Sequence, residues 1–162
     1  VDINEERGII WIYHPDTAHK LAKLLVKYNP LVIIGETEDS NRMKLLEQFK
    51  SQKKHQILIA SIPVLNTSIT LTEASFQVYA ERVYNFAQYW QSMARIHRIG
   101  QQRTVETFIL LFDSSLDIVQ DVNLSNKDIL NSKLLSKEFL SLDVWKTIFN
   151  ATDTGNEIAF NW

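Results

Sequence analysis

The sequence predicts an α/β fold, a parallel sheet flanked by helices on both faces, and three observations carry that prediction. Five short stretches are apolar almost throughout and rich in β-branched and aromatic residues: 8–13, 31–34, 57–60, 76–80 and 105–112. Segments with helical apolar spacing separate most of them. The strands lack polar alternation, so each is buried on both sides, as parallel βαβ units with helices above and below require. A chain of 162 residues suits one compact domain of this kind.

Taken in order, residues 8–13 (Gly-Ile-Ile-Trp-Ile-Tyr) read as the first strand. Pro15, Asp16 and Thr17 supply turn and cap chemistry. Ala18, Leu21, Ala22, Leu25 and Tyr28 then recur on one side of a helix that Asn29-Pro30 ends. Residues 31–34 form the second strand, closed by Gly35. Asp39 and Ser40 cap a second helix whose buried stripe is Met43, Leu46 and Phe49. Residues 57–60 form the third strand, ending in Ser61. A loop rich in Thr and Ser, with one short helical turn, covers 61–75. The fourth strand is 76–80, a third helix runs from about Phe86 to Ile99, and the fifth strand is 105–112. Beyond Asp113 the pattern is helical to about Asn150, followed by an irregular tail. The expected division is a sheet domain over 1–113 and a helical extension over 114–162 packed on it.

Composition narrows the function. At 45% hydrophobic and 22% charged the chain is of ordinary globular type. Its net charge of −2 gives no global basic footprint, so any nucleic-acid contact must come from a local patch. There is no cysteine, which excludes disulfides and thiolate metal sites. No run reaches the ~18 apolar residues of a membrane span, and no signal peptide heads the chain, so an intracellular protein without a membrane partner is expected. That means the cytoplasm in a bacterium or phage and the nucleus in a eukaryote. The chain starts at Val1 and enters an apolar run at once, which reads as a piece of a longer protein.

The candidate ligand residues lie at two places. In an open parallel sheet, ligands bind beyond the carboxyl ends of the strands. There the sequence offers His14, the stretch Gly35-Glu36-Thr37, and Ser61, short polar groups beside helix N-termini that suit phosphate. Taken singly, each is as well explained as a cap or turn former. The third helix adds Gln91, Arg95 and Arg98 in one sector at about 100° per residue, with Phe86, Tyr89, Met93 and Ile96 opposite. Gly100 supplies its stop signal. Together these suggest one anion-binding edge. No enzyme site is complete: the phosphate loop Gly-x-x-x-x-Gly-Lys-Ser/Thr is absent, and only four glycines exist. His14, His19, His55 and His97 lack metal-ligand spacing, so no metal site is expected. Glu36, Glu38 and Asp39 read as a solvated loop cluster. Phosphate-facing arginines without a nucleotide site of their own point to half of a composite site.

The string Gln91-x-x-x-Arg95-x-His97-Arg98-Ile-Gly100-Gln101 resembles the sixth helicase motif of the Swi/Snf-like DNA translocases of helicase superfamily two. The His-Arg-Ile-Gly-Gln ending is particular to that branch. Tyr84-Asn85-Phe86 stands where that family usually has Trp-Asn-Pro, and Gly35-x-Thr37, Arg42, Phe49 and Ala60-Ser61 resemble the preceding block. Leu71-Thr72-x-Ala74 resembles the fifth motif, and Leu116-Asp117 matches an Ile-Glu after the last strand. The resemblance covers about 8–119.

It implies the second (C-terminal) RecA-like lobe of an ATP-driven motor, a P-loop NTPase-type sheet. ATP with Mg²⁺ would be held mainly by a first lobe of the same protein. Arg95 and Arg98 would act as arginine fingers on the γ-phosphate, with Gln91, Ser68 and Thr70 as further nucleotide contacts. His14, Thr37 and Ser61 fall where the family touches the phosphates of double-stranded DNA. The fragment alone, a monomer, would be inactive.

The fifth motif departs from the family: Leu65, Asn66 and Ser68 replace three glycines and Thr70 an asparagine. Glycine admits close backbone approach or positive φ, and Leu65 offers neither. A degenerate lobe kept as a DNA-docking or scaffold module is therefore the alternative. A superfamily-two helicase acting on single strands or RNA is a related one.

Overall fold

Every residue of β1, Gly8–Ile12, is buried, and the register of its neighbours explains why. In the computed structural model a five-stranded parallel sheet has the order β2-β3-β1-β4-β5, which puts β1 at its centre. The other strands are β2 (Leu31–Ile33), β3 (Ile57–Ser61), β4 (Phe76–Tyr79) and β5 (Glu106–Ile109). The helices are α1 (Pro15–Leu24), α2 (Asp39–Ser51), α3 (Phe86–Met93) and α4 (Ser115–Leu135). The structure describes residues 6–52, 54, 56–65, 69–81, 83, 85–112 and 115–135. The expectations for Ser68 and for everything beyond 135 lie outside them. The chain divides into two compact units, one through Leu110 that holds the sheet and one from Leu111 that holds α4.

The two faces of the sheet are filled by two separate clusters. A right-handed crossover places its helix on one face when the chain moves one way along the sheet, and on the other when it returns. The step from β1 out to β2 goes one way and carries α1. Its Ala18, Leu21 and Ala22 pack with Ile10, Ile12, Ile57 and Ile59. Later steps go back, through α2, the 62–75 loop and α3. Leu46, Phe49, Leu65, Leu71 and Ile96 pack there with Ile9, Trp11, Leu58 and Tyr79. Polar atoms inside the sheet are paired. Trp11 Nε1 donates to Gln77 Oε1 at 2.9 Å, and Gln77 Nε2 donates to Thr107 Oγ1 at 2.9 Å, so the fully buried Gln77 costs little.

Several sequence expectations are corrected. The fifth strand stops at Ile109 rather than 112, because β4, its one partner among the described residues, has only four residues to pair with. The first helix stops at Leu24, and the chain tightens into a 3₁₀ turn, Val26–Tyr28, before Asn29 turns left-handed at φ 47°. Asp39 and Ser40 lie inside α2, whose N-cap is Glu38 without a side-chain cap bond. Met43 is 65% exposed. At 100° per residue it sits 120° from Phe49, and Arg42 and Leu45 fall nearer the buried sector. The third helix ends at Met93, with consequences for the site.

Candidate functional site

The predicted residues separate into two groups, set at opposite ends of α3. That helix starts just beyond the carboxyl end of β4, where the Asn85 side chain accepts from the amides of Ala87 (2.9 Å) and Gln88 (3.3 Å). Because β4 and β5 are parallel, α3 must run back toward the amino ends of the strands. The residues that follow it are tied there. Gln101 Nε2 donates to the Ala74 carbonyl (2.9 Å), two residues before β4 begins. The arginines therefore do not share the carboxyl edge with His14, Thr37 and Ser61, and the single anion-binding edge read from the sequence is two sites.

At the first site Gln91 is exposed on α3. Arg95 and Arg98 stand beyond the helix in successive turns, because tertiary bonds win over helix continuation. The Leu71 amide donates to the Arg95 carbonyl (2.9 Å), drawing that carbonyl out of the helical ladder, while Ile96 is fully buried. Gly100 closes the segment at φ 105°, a conformation that a side chain resists. Arg98 Nη1 donates to Thr70 Oγ1 at 2.8 Å. The proposed nucleotide contact Thr70 thus engages a finger candidate of the same lobe. Burial, and then the positive charge of Arg98, lower the pKa of Arg95. Two guanidinium groups close enough to repel form a place that an anion would relieve. Leu65, in the place of a family glycine, is buried at 2% exposure and belongs to the core.

At the second site three strand ends differ in exposure. Ser61 is 5% exposed, and its carbonyl accepts from the amides of Val64 (3.1 Å) and Leu65 (3.2 Å). Thr37 is half-buried, and its hydroxyl accepts from the Ile34 amide (3.1 Å). Arg42 fixes this turn, donating to the Thr37 carbonyl (3.0 Å) while pairing with Asp39 (3.0 Å). The His14 side chain is 70% exposed. Sequence reasoning missed the residue that organises this edge, Glu81. Its carboxylate accepts from the amides of Tyr13 and His14, from the Thr17 hydroxyl and from the His14 ring. Burial alone would raise its pKa, but the bonds from Thr17, His14 and Tyr13 outweigh burial and hold it below the usual value. Its signal was available, since Glu81 follows the fourth strand as His14 follows the first. Among the described residues no three His, Asp or Glu side chains gather as a metal would need. None of the described helices is long and apolar enough to cross a membrane.

Comparison with known proteins gives these two sites a context. The family described as "Helicase conserved C-terminal domain" matches residues 3–100. The chain is 27% identical over 132 residues to the SWI/SNF-related matrix-associated actin-dependent regulator of chromatin subfamily A-like protein 1 of Drosophila melanogaster. That match covers 80% of this chain and 18% of the relative. It is 30% identical over 104 residues to the putative ATP-dependent helicase/translocase YwqA of Bacillus subtilis, covering 64% of this chain and 11% of that protein. The crystal structure of the C-terminal part of the Fun30 ATPase domain superposes with a TM-score of 0.68 at 22% identity, over 91% of this chain and 46% of that one. The chain spans less than a fifth of the length of either relative.

Proposed function

This chain belongs to the helicase conserved C-terminal domain family and is related to the SWI/SNF ATPases, and from that premise we propose that it is the second motor lobe of an ATP-dependent double-stranded DNA translocase. In this reading a first lobe of the same protein holds ATP and Mg²⁺. Arg95 and Arg98 reach the γ-phosphate when the lobes close, with Gln91, Ser68 and Thr70 as further nucleotide contacts. The observation that carries the reading is geometric: Arg98 Nη1 donates to Thr70 Oγ1 at 2.8 Å, beside Arg95, whose pKa is lowered by burial and then by the charge of Arg98. Phosphoryl transfer spreads negative charge over the γ oxygens, and paired guanidinium groups stabilise it. Because the fingers belong to one lobe and the nucleotide to the other, hydrolysis is coupled to lobe closure. The carboxyl edge, with His14, Thr37 and Ser61, takes the phosphate backbone without reading sequence. Of the three, exposed His14 is best placed and buried Ser61 least.

In the whole protein Arg95→Ala or Arg98→Ala should lower DNA-stimulated ATP hydrolysis by at least about a thousandfold, the low end of the range for a supplied arginine. DNA affinity should stay within a few-fold. Wild-type turnover in both variants would sink the assignment. The glycines missing from the fifth motif favour a second reading, a lobe retained for DNA docking alone. A first lobe without a phosphate loop would decide for it.

A further inference from the structure

At the boundary between β1 and β4 the sheet changes winding direction. The strands reached first, β2 and β3, lie on one side of β1, and β4 and β5 lie on the other. Such a switch point opens a crevice beyond the carboxyl ends of its two strands. In this chain the crevice is bridged by one side chain. Glu81, two residues past the end of β4, reaches the turn that follows β1. One carboxylate oxygen takes the Tyr13 and His14 amides (the latter at 2.8 Å), and the other takes the Thr17 hydroxyl and His14 Nδ1 (3.2 Å).

All four acceptor directions of the carboxylate are therefore used within the lobe. A carboxylate has no proton to give, so the shared hydrogen must sit on His14 Nδ1. That fixes the rotation of the ring and the nitrogen that carries the shared proton. The other nitrogen, Nε2, is left for partners outside the domain on a side chain that is 70% exposed. The α1 N-cap His14 makes no side-chain cap bond of its own, and Glu81 supplies the negative group near that helix end from another strand.

We propose that Glu81 is the positioning residue of the DNA-backbone site, holding the His14 ring by Nδ1–H so that Nε2, protonated in the bound state, donates to a backbone phosphate. This rests on the reading of the carboxyl edge as the DNA-binding edge and adds to it the group that presents the contact. A carboxylate bound only to protein donors presents no free oxygen to the phosphate.

The test is a double-mutant cycle in the full protein, with a mixed-sequence DNA duplex as probe. His14→Ala should weaken binding roughly tenfold, the scale of one hydrogen bond to a charged group, and reduce the slope of log affinity against log salt by about 0.9. In a Glu81→Gln background the same His14→Ala change should cost less than about twofold, while Glu81→Asp should restore most of the coupling. Nitrogen-15 spectra of His14 should show a proton on Nδ1 in the free wild type, protons on both ring nitrogens in its DNA complex, and loss of the fixed Nδ1 proton in Glu81→Gln. A merely structural Glu81 would lower stability without moving that signature. If His14→Ala costs the same with Glu81 or Gln at 81, the positioning inference is overturned while the DNA-edge reading stands. If His14→Ala changes nothing in either background, the DNA-edge reading itself fails at His14. A wild-type ring without a proton on Nδ1 overturns the inference regardless of DNA.

Discussion

Single residues in this lobe are constrained by what stands next to them in space. Gly8 is an example. A Cβ placed there would lie 2.0 Å from two ring atoms of Phe76, a side chain only 7% exposed. Alanine is favoured over glycine in a strand by roughly 0.5–1 kcal/mol, whereas overpacking a core costs about 1–3 kcal/mol. Sterics win, and Gly8→Ala should lose about 1–2 kcal/mol in denaturant unfolding; a stabilised variant would show that the Phe76 ring yields freely. Arg7 illustrates the same dependence in a favourable sense. It donates to the Phe49 (2.6 Å) and Lys50 (2.7 Å) carbonyls at the end of α2, where a cation complements the helix terminus. Neither role is readable from residue type. Leu65 is the more telling case, because a departure from the family's glycine that suggested a weakened ligand loop places a side chain in the core.

Elements hold their positions through their ends. Asn85 caps α3 with two amide bonds, a role for which its amide side chain is suited by its short reach. Asn85→Ala should cost about 1 kcal/mol of stability, and the loss should appear as faster amide exchange through the first turn of α3. Unchanged exchange there would mean that packing alone holds the helix start. The opposite end shows where local periodicity misleads. The pattern Tyr89, Met93 and Ile96 continues past Met93 at helical spacing, yet the chain leaves the helix because the Arg95 carbonyl is taken by Leu71, 24 positions earlier. Tyr79 Oη donates to Ser92 Oγ (2.7 Å), which in turn donates to the Tyr89 carbonyl (2.7 Å), fastening the last helical turn to β4. The arginines consequently sit on turns, fixed by tertiary bonds rather than by one helical face.

For the whole molecule, the two groups of candidate residues belong to one lobe but stand at opposite ends of α3, and the proposed function gives them different partners. The 162-residue chain by itself should show no measurable ATPase, and its DNA affinity should be weak and fall steeply with salt, as phosphate contacts require. Robust hydrolysis by the purified chain would refute the composite-site argument. The sheet class, the order of its elements and the family followed from sequence, because unbroken apolar strands and the Arg-x-His-Arg-Ile-Gly-Gln string are local patterns that one segment can carry alone. Strand and helix ends did not follow, since each depends on how many residues a neighbour offers. The grouping of the site did not follow either. Which strand end meets which, and that α3 carries Arg95 and Arg98 away from His14, are properties of strand order. Glu81 marks the limit most clearly. As a letter it is one acidic residue among 19, and only the adjacency of β1 and β4 brings its carboxylate to His14, 67 positions away.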